Sequence, residues 1–259
     1  MLVARGISVR HRRGTVLDGV DFNASPGRVT AIVGPSGAGK STLLKAITGD
    51  LPNGGRITLN GRDIASAHPA DLARIRAVLP QATPLAFPFT VIEVMRLAGQ
   101  GGQSGRDRIV RQALARVGLA GFEGRLFQEL SGGEQQRVHL ARVLCQVWQP
   151  VSEDGDPRWL FLDEPVSSLD IGHQLHVMET LRDFARAGGG VVMVMHDLNL
   201  TAMCADSIAL MQSGRVLAQD RPEAVLNSDL LSRAYGCRLA VNRAPEHGAY
   251  ILPQVAGTA

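Results

Sequence analysis

Aromatic side chains make up only 4% of the 259 residues, too few for the stacked platforms on which single-stranded nucleic acids lie. Cysteine is sparser still. Cys145, Cys204 and Cys237 are far apart and odd in number, which excludes a disulfide framework or a thiolate zinc site. A strong charge of one sign is missing too, since 27 basic residues face 24 acidic ones for a net +3. Part of that excess is Arg10, Arg12 and Arg13, read as a solvated loop before a lipid or nucleic-acid surface. No apolar run approaches the roughly 18–20 residues that cross a bilayer, and the opening Met-Leu-Val-Ala-Arg-Gly has no signal-peptide stretch. These absences predict a soluble cytosolic protein without a nucleic-acid partner. The rest is ordinary for a chain with a core. At 45% hydrophobic and 20% charged residues, it suits one large domain, or one with an inserted lobe, and excludes disorder.

Along the chain, Ile7–Val9, Thr15–Leu17 and Val20–Phe22 are short β-prone runs with Gly14 and Gly19 as turn residues, which predicts an antiparallel sheet. Val29–Val33 is apolar on both faces and too short for a helix, so it reads as a central parallel strand. Leu43, Leu44 and Ile47 then share a helical face that Gly49 and Pro52 terminate, and Ile57–Leu59 runs into an Asn60-Gly61 turn. From about residue 63 to 150 the pattern is mostly helical. Pro69 opens a helix through Arg76, Thr90 and Glu93 make a capping box, and Ile109, Val110, Ala113, Leu114 and Val117 form an apolar stripe ended by Gly118. Strands return at Trp159–Leu162, Val191–Met195, Ser207–Met211 and Val216–Ala218, the last two joined through Ser213-Gly214. The expected architecture is an α/β core interrupted by a helical insert.

Gly34-Pro35-Ser36-Gly37-Ala38-Gly39-Lys40-Ser41-Thr42 fits Gly-x4-Gly-Lys-Ser/Thr between an apolar strand and a helix. Glycines there let backbone N–H groups turn toward phosphate oxygens, and the helix N-terminus adds its partial positive charge. Lys40 supplies a point charge to the outer phosphates, and Ser41 offers a hydroxyl to Mg²⁺. A phosphate loop needs a metal-holding acid. Trp159-Leu160-Phe161-Leu162 ends in Asp163-Glu164, at the strand end where α/β sheets bind ligands. Asp163 would hold Mg²⁺ through water and Glu164 would polarise the attacking water. A third apolar strand ends in His196, so three strand ends can converge on one crevice.

Leu130-Ser131-Gly132-Gly133-Glu134-Gln135-Gln136-Arg137 narrows the reading. Ser131 and Glu134 form a capping box, and the glycines leave a second approachable helix N-terminus. The octet resembles the signature of ATP-binding-cassette (ABC) ATPases. The resemblance implies a P-loop NTPase (RecA-like) core with an N-terminal antiparallel β subdomain and an inserted α-helical subdomain. It implies an ATPase domain over 1–243, with the insert at about 82–150, and a tail at 244–259. It also implies that Gln81 senses Mg²⁺ and the membrane partner and that Ser167-Ser168-Leu169-Asp170 is the D-loop. His196 would contact the γ-phosphate, and Ser131, Gly132, Gly133 and Glu134 would serve ATP held by a second, head-to-tail copy. Two departures stand out. The family's adenine-stacking aromatic is matched here by Val9, next to Arg10 and His11, and the D-loop begins Pro165-Val166-Ser167-Ser168 where many relatives have Pro-Thr-Ser-Ala.

Within the family, Gln81-Ala82-Thr83-Pro84-Leu85-Ala86-Phe87-Pro88-Phe89-Thr90-Val91, the polar stretch 149–157 and Met195–Leu200 resemble ATPases of bacterial hemin importers, members of the type II group. The implied assembly is a homodimer, with ATP and Mg²⁺, under two copies of a transmembrane permease on the cytoplasmic face of the membrane. A periplasmic substrate-binding protein serves it indirectly, and heme does not touch this subunit. Ferric siderophore and cobalamin are the alternative cargoes, and a soluble ABC ATPase on DNA or ribosomes is the alternative class. Phe87 and Phe89 suit either permease docking or burial. His173 and His176, three apart on a helix, read as surface histidines before metal ligands.

Overall fold

The computed structural model describes residues 1–11, 14–81, 87–97 and 103–255, with side chains except at 103–106 and 255. Arg12, Arg13 and the Ala82–Ala86 part of the stretch after Gln81 lie outside the described residues. Strands β1 (Leu2–His11) and β2 (Gly14–Ala24) pair antiparallel. The sequence places a turn at Gly19; the structure places one continuous strand there. Gly19 (φ +60°) and Gly6 on the opposite strand (φ +63°) each sit where the register slips, so these glycines make bulges in a long ribbon.

The central strand β3 (Val29–Val33) is buried at all five positions, and helix α1 (Lys40–Ile47) follows it, with Gly49 at φ +76° beyond its end. Strand β4 (Gly54–Leu59) turns through Asn60 (φ +51°) and Gly61 (φ +78°) into β5 (Arg62–Asp63), the two positive φ values that a tight hairpin of matching twist requires. Helix α2 (Pro69–Ile75) starts on proline as expected but stops before Arg76, which is already extended. Arg76 opens β6 (Arg76–Leu79), a strand inside the region read as helical. Four residues carry too little alternation to declare themselves, and parallel pairing with the strand ending in Asp163 is what fixes them as β structure.

Helices α3 (Val91–Arg96), α4 (Gln103–Arg116) and α5 (Gly132–Gln146) come next, then β7 (Trp159–Asp163), α6 (Ile171–Arg186), β8 (Gly190–Val194) and α7 (Leu198–Cys204). The order closes with β9 (Ser207–Gln212), β10 (Arg215–Asp220), α8 (Pro222–Val225) and α9 (Ser228–Tyr235). A six-stranded sheet runs β10-β9-β3-β8-β7-β6, parallel apart from the antiparallel edge strand β10. The second sheet is antiparallel, β2-β1-β4-β5.

Alternate residues of the central strands feed two cores, which explains their unbroken apolar character. Leu160, Leu162, Val191 and Met193 face the helices α3 to α7, while Trp159, Phe161, Val192 and Val194 face α1 and the antiparallel sheet. The Trp159 indole N–H donates to Asn60 Oδ1 at 3.0 Å, and the Asn60 amide donates to the Pro157 carbonyl at 2.8 Å, tying the two sheets together. Room for that indole comes from Gly190 on the adjacent strand, where a Cβ would overlap the Trp159 ring. Gly190→Ala is therefore expected to destabilise the fold by about 1–3 kcal/mol through overpacking. Urea unfolding checks this, and an unchanged midpoint would contradict it.

Candidate functional site

Parallel register brings three chemistry-bearing strand ends side by side. Ile32 and Asp163 both pair with Val194, across the order β3-β8-β7. The loop after β3, the Asp163-Glu164 pair and His196 beyond β8 therefore share one rim. Three close backbone approaches hold the loop. A side chain on Gly34 (φ +147°) would overlap the Met211 carbonyl, one on Gly39 (φ +97°) would meet Leu17 Cδ2 at 2.9 Å, and one on Gly214 would overlap the Val16 carbonyl. The Gly214 N–H also donates to the Ala38 carbonyl at 3.1 Å, and the Asp18 N–H to Gly214 at 3.0 Å. Tyr235, at the end of α9, has its phenol pushed up by burial, and the Gly34 N–H acts on it in the opposite direction.

Within the loop, Pro35, Ser36 and Gly37 are open to solvent to differing degrees, Ala38 is buried, and Ser41 and Thr42 begin α1 half-buried. The Lys40 ammonium donates to the carbonyls of Gly34 (2.9 Å) and Pro35 (3.1 Å). Burial lowers its pKa, and Glu164 and Asp163 oppose that shift. The Ser41 hydroxyl donates to Asp163 Oδ1 at 3.0 Å. Asp163 is 3% exposed. Burial holds its carboxyl above the usual range, against the Ser41 hydrogen bond and with the neighbouring Glu164 adding to the rise.

Glu164 adopts φ +53°, a left-handed backbone that costs an L-residue roughly 1–2 kcal/mol. Its Oε1 lies 2.5 Å from His196 Nε2 and accepts from the Gln81 amide at 3.3 Å. Two of the residues singled out from sequence, Gln81 and His196, thus meet at the same carboxylate oxygen. The paired Ser41 hydroxyl and Asp163 carboxylate are hard oxygen donors of the kind Mg²⁺ takes, while the Gln81 side chain presents its amide N–H to Glu164.

Ser131 caps α5, its hydroxyl accepting from the Glu134 N–H at 3.3 Å while Glu134 Oε2 accepts from the Ser131 N–H (2.7 Å) and hydroxyl (2.8 Å). The Ser131 hydroxyl first, then its N–H, lowers the Glu134 carboxyl. Ser131 and Gly132 are exposed, and Gly133 is pressed on the Ser168 carbonyl, where a Cβ would stand at 3.0 Å. Asp170 caps α6 by accepting from the His173 N–H at 2.9 Å, and it also contacts the His173 ring. His176 Nε2 lies 2.7 Å from the Arg116 carbonyl. Among the described residues no group of three or more His, Cys, Asp and Glu could hold a metal.

Val9 is 4% exposed and faces the core of the antiparallel sheet, so it offers no stacking surface. Arg10 and His11 beside it are exposed. Sequence reading overlooked Gln136, whose side chain reaches the Glu164 carbonyl at 2.8 Å; its place inside the signature octet was the available signal.

A buried acid with a raised pKa binds its proton more tightly in the folded chain than in the unfolded one. Its contribution to stability is then lost as pH rises through the folded value, and at neutral pH the Asp163 charge is a cost. Asp163→Asn should raise the Tm of the nucleotide-free protein at pH 7, with the advantage shrinking in acid. Thermal unfolding at both pH values checks this, and a lower Tm at pH 7 would contradict it.

Comparison with known proteins gives the family. Residues 17–167 match the ABC transporter family. The chain is 60% identical over 258 residues to the hemin import ATP-binding protein HmuV of Jannaschia sp., covering 99% of this chain and 95% of that protein. It is 56% identical over 261 residues to the protein of the same name from Rhizobium meliloti, covering 99% of each. Among solved structures, an ATP-binding subunit of an ABC transporter superposes with a TM-score of 0.76 at 25% identity, over 93% of this chain and 95% of the other. A bacterial Atm1-family ABC exporter with ATP bound gives a TM-score of 0.74 at 27% identity, over 87% of this chain and 39% of the exporter. With more than half its length in the family match and these relatives spanning nearly all of it, the chain belongs to the ABC transporter family.

Proposed function

We propose that this protein is the ATP-hydrolysing subunit of a bacterial hemin importer, working as a head-to-tail homodimer on the cytoplasmic face of the membrane beneath two copies of a permease. The observation that carries the ATPase reading is the convergence on the β3, β7 and β8 rim of Lys40, the Ser41–Asp163 pair and the Gln81–Glu164–His196 cluster. Hemin rests on the relatives named as hemin import ATP-binding proteins.

In this reading the loop from Gly34 to Thr42, through its backbone N–H groups other than at Pro35, cradles the ATP phosphates and Lys40 neutralises the outer ones. Ser41, Asp163 and Gln81 would hold Mg²⁺, which supplies charge neutralisation on the phosphates when bound. Glu164 accepts a proton from water as the water oxygen attacks the γ-phosphorus and the bond to ADP breaks. His196 orients Glu164 and contacts the γ-phosphate. Ser131, Gly132, Gly133 and Glu134 serve the ATP of the second copy, and Ser168 and Asp170 line the junction between copies. Arg10 and His11 border the adenine in place of a stacking aromatic. The ATPase domain spans 1–243, with α3, α4 and α5 as its inserted helical subdomain at about 82–150, and 244–259 is an appended tail.

Among the described residues no helix is long and apolar enough to cross a membrane, so the permease supplies the membrane contact. Phe87, 66% exposed and edge-on to the half-buried Phe89 at 6.1 Å, offers an apolar surface for it. A periplasmic binding protein delivers cargo to the permease, and heme does not contact this subunit. Proteoliposomes holding the protein with its co-purified permease should accumulate hemin on ATP addition. Glu164→Gln should retain ATP affinity while hydrolysis and uptake fall by about 10²-fold or more, at least ~2.7 kcal/mol of barrier. Uptake of ferric siderophore or cobalamin instead would overturn the hemin assignment, and wild-type turnover in the variant would remove Glu164 as the base.

A further inference from the structure

Gln136 lies in the second turn of α5, and its amide bridges two backbone groups of the segment after β7. The Nε2 donates to the Glu164 carbonyl at 2.8 Å, and Oε1 accepts from the Ser168 N–H at 3.1 Å. One partner can only accept and the other can only donate, so the orientation of the amide is fixed by its neighbours. The approach is tight because Gly133, one turn earlier, rests on the Ser168 carbonyl. The residue bridged has a constrained backbone. Glu164 sits at φ +53° immediately before Pro165, and a following proline drives its neighbour toward extended conformations. Its N–H is tied to Val194 at 3.2 Å, and Ser167 Oγ joins Gln136 on its carbonyl at 3.3 Å. Fixing the peptide on both sides sets the direction in which the Glu164 carboxylate meets His196 and Gln81.

We infer that Gln136 is a positioning residue for the hydrolytic step: it acts through Glu164, holding the base in its left-handed backbone and locking it to the helix that carries the signature turn. The inference rests on the ATPase reading and is independent of cargo. No other side chain meets both needs at this length. Glutamate cannot donate, methionine can do neither, and asparagine is one methylene short. The bracket also couples α5 to the base of the same subunit.

The test is a double-mutant cycle on the full chain, with kcat, KM and ATP affinity measured separately. Gln136→Met should lower kcat at least fivefold while the Kd for ATP stays within twofold of wild type. In a Glu164→Gln background the same change should have no further effect on single-turnover hydrolysis, because the carboxylate that Gln136 positions is gone. Gln136→Glu keeps the length and the Ser168 acceptor but loses the donor, and it should show the same kcat loss; it carries the test if the methionine variant does not fold. A smaller fall in kcat, an equal fall in both backgrounds, or parallel loss of ATP affinity would overturn the inference. A wild-type chain that fails to hydrolyse ATP would instead contradict the ATPase reading.

Discussion

Close backbone contact around the phosphate loop is the constraint on which the rest depends. Three segments distant in sequence interlock there: Gly34 against the Met211 carbonyl, Gly39 against the Leu17 side chain and the Val16 carbonyl, and Gly214 against the Val16 carbonyl. Only residues lacking a Cβ allow that approach. It anchors the loop to the antiparallel sheet on one side and to the β9–β10 turn on the other, which fixes the loop backbone in place. Electrostatic stabilisation by backbone dipoles is effective when they are fixed in advance.

The second layer is the sheet itself. Because β3, β8 and β7 are neighbours and parallel, carboxyl-terminal residues from three separate parts of the chain emerge within hydrogen-bonding reach of one another. The burial that stabilises these strands is also what raises the Asp163 carboxyl and lowers the Lys40 ammonium. Both groups sit in surroundings that disfavour their charged forms. Stability is given up locally, at Asp163 and at the left-handed Glu164, to hold that arrangement.

Much of this was legible from sequence because its signals are local. The phosphate loop, the Trp159–Asp163 run and both capping boxes depend on residues within a few positions of each other, and the structure shows the Thr90–Glu93 and Ser131–Glu134 boxes formed. What escaped depends on distant partners. Strand β6 is strand only because β7 lies beside it. Gly19 is a bulge because Gly6 and the opposite strand set the register. The burial of Val9 follows from which face of β1 meets the core, and the Gln136 bracket needs Glu164 and Ser168 to be delivered from another element. Of these only Gln136 had a marker in its own neighbourhood, its place in the signature octet, and that marker says nothing of its partners.

The central claim is that each chain carries half of two ATP sites, with the exposed Ser131 turn completing the site of a second copy. Sedimentation velocity of the Glu164→Gln protein with Mg-ATP tests it most directly. The account predicts a dimer with ATP, a monomer with ADP, and a monomer with ATP when Ser131→Arg is added, with ATP still bound. A monomer under all conditions, or an ATP-dependent dimer that tolerates Ser131→Arg, would contradict it.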